Sequence, residues 1–120
     1  MYKRQPQIFD SADLTPRQRL LAVFDIHPPL CPFIGAAVEI QDPGNPARVL
    51  ARDHKKAFAA RLAEAAREAG APDPERLGEQ LALLLDGASA RGRVLDADAF
   101  ATAASIAVVL IDKALPIAVR

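Results

Sequence analysis

Three prolines, each preceded by a residue that can cap a helix, constrain the fold of this 120-residue chain more than any other feature. The side chain of Thr, Asn or Asp accepts a hydrogen bond from the free amides of a helix's first turn. Proline fits the first helical position, because its missing amide hydrogen has no partner to lose there and its fixed φ suits a helix. The sequence therefore predicts helix starts at three pairs: Thr15-Pro16, Asn45-Pro46 and Asp73-Pro74.

Hydrophobic spacing extends these starts and adds two further helices, which makes about five in all. The first must end before His27-Pro28-Pro29, because proline is not tolerated inside a helix. Residues 1–14 show no periodicity and are predicted to form a tail or a frayed helix, ahead of one domain over 15–120. The other predicted helices are a short buried one over Pro32–Gln41, a long one over Pro46–Ala69 closed by Gly70, one from Pro74 to about Arg91 bounded by Gly92, and one from about Asp98 to Leu115.

Composition agrees with an all-α antiparallel helical bundle. Aromatic residues make up only 5% of the chain, alanine and leucine dominate the 51% that is hydrophobic, and no segment alternates with period two. The 15 basic and 15 acidic residues give a net charge of zero, which argues against a protein that holds nucleic acid by bulk charge. No signal peptide or 20-residue apolar span is visible, and the single cysteine fits a reducing compartment, so we expect a soluble cytoplasmic protein.

Catalytic and metal-binding chemistry find little support in the sequence. The candidate imidazole and thiolate ligands are His27, Cys31 and His54, and two prolines between the first two keep them from sharing a helix face. Cys31 lies in an apolar segment, a setting that raises a thiol pKa and makes it a poor nucleophile. No phosphate-binding glycine loop or hydrolase motif is present. We therefore predict no cofactor, no metal and no enzymatic activity.

Two polar residues stand in apolar surroundings. His54 is either a core histidine with a hydrogen-bond partner or a polar group that projects into a ligand cavity beside Phe58. Glu39 is the only charge between Cys31 and Gln41, and burying it unpaired would be costly. It either pairs with a cation such as Arg48 or Arg52, reaches water or contacts a ligand. The basic residues of the long helix are most simply a solvated face.

The last helix is apolar almost all the way round, and such a helix needs neighbours on two sides. The helix from Pro74 carries a second apolar strip in addition to its core face. We therefore predict a homodimer in which the last two helices of each chain form a four-helix bundle. The predicted dimer interface comprises Leu83, Gly87, Ala90, Phe100, Ala104, Ala107, Val108 and Ile111.

An ordered series of segments resembles the C-terminal domain of TetR-type transcriptional regulators over about residues 15–115. It begins with RQRLLAVFD at 17–25 and CPFIGAAVE at 31–39. It continues through Asp42-Pro43, NPAR at 45–48, His54-Lys55, Arg61-Leu62, AGA at 69–71, Asp73-Pro74-Glu75 and QLALLLDGA at 80–88. Gly35 departs from the pattern, since relatives commonly carry a polar side chain such as Asn there.

The resemblance implies a helical domain that binds a small effector and dimerises through its last two helices. We expect an apolar pocket for a hydrophobic or aromatic effector between the short buried helix, the long helix and the helix from Pro74. Its predicted walls are Phe24, Phe33, Glu39, His54, Phe58 and Leu84.

DNA recognition in such regulators belongs to a helix-turn-helix headpiece. That headpiece needs roughly 45 residues ahead of Thr15, where this chain has 14, so we expect DNA contact only through a headpiece that the chain does not contain. The alternative is a pure interaction module that heterodimerises with a full-length regulator and sequesters it.

Overall fold

The predicted pairs of capping residue and proline begin α-helices in the computed structural model, which describes residues 13–25 and 41–116. The helices in this part of the chain are α1 (Pro16–Ala22), which continues into a 3₁₀ turn (Val23–Asp25), α2 (Pro46–Glu68), α3 (Pro74–Leu95) and α4 (Phe100–Ala114). No strand occurs in the described ranges, so the all-helical class is confirmed. The predicted helix over Pro32–Gln41, apart from its last residue, and residues 1–12 of the predicted tail over 1–14 lie outside these ranges.

The cap of α1 shows why these starts are well defined. Thr15 Oγ1 accepts a hydrogen bond from the Gln18 amide at 3.1 Å, and Gln18 Oε1 accepts one from the Thr15 amide at 2.8 Å. This reciprocal pair is a capping box, which satisfies two backbone donors that the helix cannot satisfy itself. The side chains of Asn45 and Asp73 likewise accept amide hydrogens from the first turns of α2 and α3.

The C-terminal ends of α2 and α4 lie within about one residue of their predicted positions, whereas α3 ends later than predicted. Gly70 follows α2 with a φ of 90°, as expected of a residue that closes a helix. Helix α3, however, passes through Gly92 and continues to Leu95, one turn beyond the predicted end. It ends at Asp96, whose φ of 51° lies in the left-handed region, and the Ala97 amide donates to the Gly92 carbonyl at 3.0 Å.

Helix α4 begins slightly later than predicted. The N-cap residue is Ala99, which offers no side-chain acceptor, and Asp98 Oδ1 just before it accepts a hydrogen bond from the Phe100 amide at 2.9 Å.

The most extensive helix contact is that of α2 with α3, followed by that of α3 with α4. Because the connections 69–73 and 96–99 are short, consecutive helices fold back on each other as antiparallel neighbours. Helix α1 packs against both α2 and α4. The core is apolar, with no buried polar or charged side chain in the described ranges. Its largest fully buried members are Leu20, Val23, Phe24, Leu62, Leu77, Leu81 and Ile111.

Ion pairs at the core's edge connect the helices. Arg17 on α1 pairs with Asp112 on α4 at 2.9 Å, and Arg19 pairs with Glu68 at the end of α2 at the same distance. Lys55 and Asp86 join α2 to α3. Since these groups are partly exposed, each pair contributes about 1 kcal/mol or less, and the apolar core is the main source of stability.

Candidate functional site

Large apolar side chains project into solvent from α3 and α4. Leu83 is 72% exposed, Val94 82% and Val109 64%, and Leu95 and Ile106 are also exposed. Single exposed apolar residues are ordinary, whereas a group of them on one pair of neighbouring helices is a candidate interaction surface. We call this surface the α3–α4 face and define it by Leu83, Gly87, Ala90, Val94, Leu95, Ile106 and Val109.

A cleft of about 340 Å³ runs between α3 and α4 within this face. Most of its walls are apolar, formed by Leu83, Leu84, Ala88, Leu95, Ala103 and Ile106. Polar groups line the end nearest the α3–α4 connection, where Arg91, Asp98 and Thr102 lie. A recess of this size and lining suits the binding of apolar side chains or a small apolar molecule.

The structure divides the predicted interface residues between surface and core. Leu83, Gly87 and Ala90 are exposed on α3, and Ala104 and Val108 are half-buried on α4. The remaining three, Phe100, Ala107 and Ile111, are packed in the core of this single chain. They would be buried whether or not a second chain binds.

The division on α4 has a simple physical reason. Its inward side is formed by Phe100, Ala103, Ala107 and Ile111, at helical spacing. Since the exposed side also carries apolar residues, among them Ile106 and Val109, hydrophobic periodicity alone separates the two sides only weakly.

The predicted interface leaves out some exposed apolar residues of α3 and α4, although the sequence contains a signal for them. Val94 follows Ala90 by four positions, and Val109 follows Ile106 by three, so each continues an apolar strip at helical spacing.

The described part of the chain contains four of the six predicted pocket residues, Phe24, His54, Phe58 and Leu84. Phe24 is buried in the core, and Phe58 packs at the core's edge. Leu84 packs against the same core and also lines the α3–α4 cleft. Phe33 and Glu39 lie outside the described residues, so the predicted pocket between the short buried helix, α2 and α3 stays a prediction.

The histidine and the basic residues of α2 that stand out in the sequence lie in the N-terminal half of the helix. His54 is half-buried there, one turn before Phe58. Among the basic residues, Arg48 donates a hydrogen bond to the Gln41 carbonyl at 3.0 Å and Lys55 pairs with Asp86, while Arg52 and Lys56 are exposed. Two of these four cations are therefore used in contacts within the chain.

The described residues meet the requirements of neither a metal site nor a membrane-spanning helix. Within 13–25 and 41–116, no three histidine, cysteine or acidic side chains are grouped so that they could hold a metal ion. In the same ranges, no helix combines the length and the apolar character needed to cross a bilayer. The α3–α4 face and its cleft are therefore the strongest candidate site.

Comparison with known proteins adds no relative. No family model matches the chain, and neither the curated proteins nor the solved structures gave a match.

Proposed function

We propose that this chain is the dimerisation and effector-binding domain of a TetR-like transcriptional regulator. The observation that carries the proposal is the α3–α4 face, where Leu83, Val94 and Val109 are mostly exposed to water. Burial of apolar surface contributes about 25 cal/mol per Å², so a second copy that covers these side chains gains free energy. The sequence resemblance over residues 15–115 supports the same conclusion, since regulators of that type dimerise through their last two helices.

In this proposal DNA recognition is assigned to a helix-turn-helix headpiece and not to helices α1–α4. The effector-binding part rests on the resemblance and on the position of His54 and Phe58. These two residues are half-buried and lie four positions apart on α2, so both project from one side of the helix. An imidazole beside a phenyl ring suits a mostly apolar ligand that carries one polar group.

Dimerisation is tested by light scattering during gel filtration at micromolar concentration. We expect a mass near twice the 12.8 kDa of one chain. Leu83→Glu places a charge on the α3–α4 face and should yield a folded monomer. The matched control is Leu50→Glu, which changes an exposed leucine of α2, outside that face, and should leave the dimer intact. A wild-type chain that is monomeric throughout would refute the dimerisation part of the proposal.

Effector binding is tested separately by thermal unfolding with a panel of hydrophobic and aromatic small molecules. A ligand present at about 100 times its Kd stabilises the folded state by about 2.7 kcal/mol, which gives a readily measured rise in Tm. His54→Ala or Phe58→Ala should remove that rise, whereas the exposed Lys56→Ala should keep it. If no compound raises the Tm, the effector-binding part fails and the dimerisation part is unaffected.

A further inference from the structure

Helix α3 contains three glycines, at positions 78, 87 and 92. Glycine inside a helix costs about 1 kcal/mol relative to alanine, so each position invites a physical reason. A Cβ on Gly78 would lie 2.7 Å from the Ala63 backbone nitrogen, and a Cβ on Gly92 would lie 2.7 Å from the Ala97 carbonyl oxygen. Both glycines are therefore needed for close contacts within the chain.

Gly87 differs from the other two. A Cβ at this position would meet nothing within 4 Å. Gly87 is exposed and lines the α3–α4 cleft, between the projecting side chains of Leu83 and Val94 on the same helix. The described part of the chain thus gives no packing reason for this glycine, although it lies in the middle of the exposed apolar face.

A missing side chain on an exposed helix surface allows another helix to approach closely. Distances between packed helix axes range over about 8–10 Å and depend on the side chains at the contact. In a twofold dimer the same patch is used by both copies, so a residue on the axis meets its own counterpart. A glycine at that point leaves room for the partner's helix, while the leucine and valine on either side can fill the recesses of the opposite face.

Resting on the dimerisation proposed above, we infer that Gly87 marks the point at which α3 crosses α3 of a second copy. Leu83 and Val94 project from the face, and the α3–α4 cleft forms a recess in it. A surface that binds a copy of itself needs both features. Its charges also permit a second copy. The chain has a net charge of zero, and the cleft is lined by one basic side chain, Arg91, and one acidic side chain, Asp98, so two copies are not repelled by a surface of one sign.

The experiment compares Gly87→Leu with the wild-type chain by sedimentation equilibrium, with circular dichroism and denaturant unfolding as measures of folding. We expect Gly87→Leu to keep the helical fold and to raise the dimer dissociation constant at least about tenfold. Ala60→Leu is the matched control, because it adds the same side chain at an exposed position on α2. It should leave the dissociation constant unchanged.

The outcomes separate this inference from the proposed function. If Leu83→Glu dissociates the dimer and Gly87→Leu does not, the dimer uses this face but α3 does not cross at Gly87, and the inference is wrong. If Gly87→Ala lowers the stability of the monomer, the glycine serves the chain's own packing, and the inference is again wrong. A wild-type chain that never dimerises overturns both.

Discussion

Gly78 on α3 lies directly against the backbone of Ala63 on α2. A Cβ added to Gly78 would come within 2.7 Å of the Ala63 nitrogen and 2.9 Å of its Cα atom. Both residues are buried, and they lie at the most extensive helix contact of the fold. The small size of these two residues therefore sets how closely α2 and α3 approach.

We predict that Gly78→Ala destabilises the chain. The added methyl group would meet backbone atoms, which cannot rotate away, and overpacking of this kind costs about 1–3 kcal/mol. Alanine's better helix propensity offsets about 1 kcal/mol at most, so denaturant unfolding should show a lower midpoint.

The matched control for this prediction is Gly87→Ala, where the added methyl group meets nothing. Gly87→Ala should raise the free energy of unfolding by up to about 1 kcal/mol. The measurement is made at low protein concentration, where association adds no stability. Equal effects of the two substitutions would contradict the close contact at Gly78.

Most of the helix starts could be predicted from the sequence because they depend on local chemistry. Thr15, Asn45 and Asp73 each form their cap within three residues along the chain. The end of α3 could not be predicted in the same way. Gly92 resembles a helix-closing glycine, but its role is to let the Ala97 carbonyl approach, which is a feature of the folded turn.

The end of α3 yields a second prediction. Asp96 adopts a left-handed conformation with a φ of 51°, which is strained for a residue that has a Cβ, and its carboxylate lies at the negative end of the α3 dipole. Asp96→Gly should raise the free energy of unfolding by about 0.5–1 kcal/mol. Asp96→Asn removes the charge but keeps the Cβ and should recover only part of the gain. A lower stability of Asp96→Gly would show that the carboxylate itself stabilises the turn.

The pair of Arg17 and Asp112 yields a third prediction. Arg17 Nε donates a hydrogen bond to Asp112 Oδ1 at 3.0 Å, and Arg17 Nη2 lies 2.9 Å from the same oxygen, so the pair connects α1 to α4. A double-mutant cycle with Arg17→Ala and Asp112→Ala should give a coupling energy of about 0.5–1 kcal/mol, because the pair is only partly buried. Added salt should reduce the coupling. A coupling of zero at low ionic strength would mean that α1 is held by its apolar residues alone.

The candidate site could be predicted only in part, and the reason lies in α4. The exposed positions on α3 could be recognised because Leu83, Gly87 and Ala90 form an apolar strip at helical spacing, separate from the strip that contains Leu77, Leu81 and Leu85. On α4 the apolar residues surround the helix, so the sequence gives no contrast between Ile111, which faces the core, and Val109, which faces solvent. Only the packing of α4 against α1 and α3 distinguishes the two sides.

That distinction gives the fourth prediction. Ile111 is fully buried, and Ile111→Ala should lower the free energy of unfolding by about 2–5 kcal/mol, since it removes packed methyl groups and leaves a cavity. Val109, two positions earlier on the same helix, is 64% exposed. At protein concentrations too low for association, Val109→Ala should change the free energy of unfolding by no more than about 0.5 kcal/mol. In the dimer proposed above, Val109→Ala should weaken association, whereas Ile111→Ala should act through folding. Chemical denaturation of both variants at two protein concentrations checks this. A large loss for Val109→Ala at the lower concentration would show that this side of α4 is already covered within one chain, and the α3–α4 face would then not be available to a second copy.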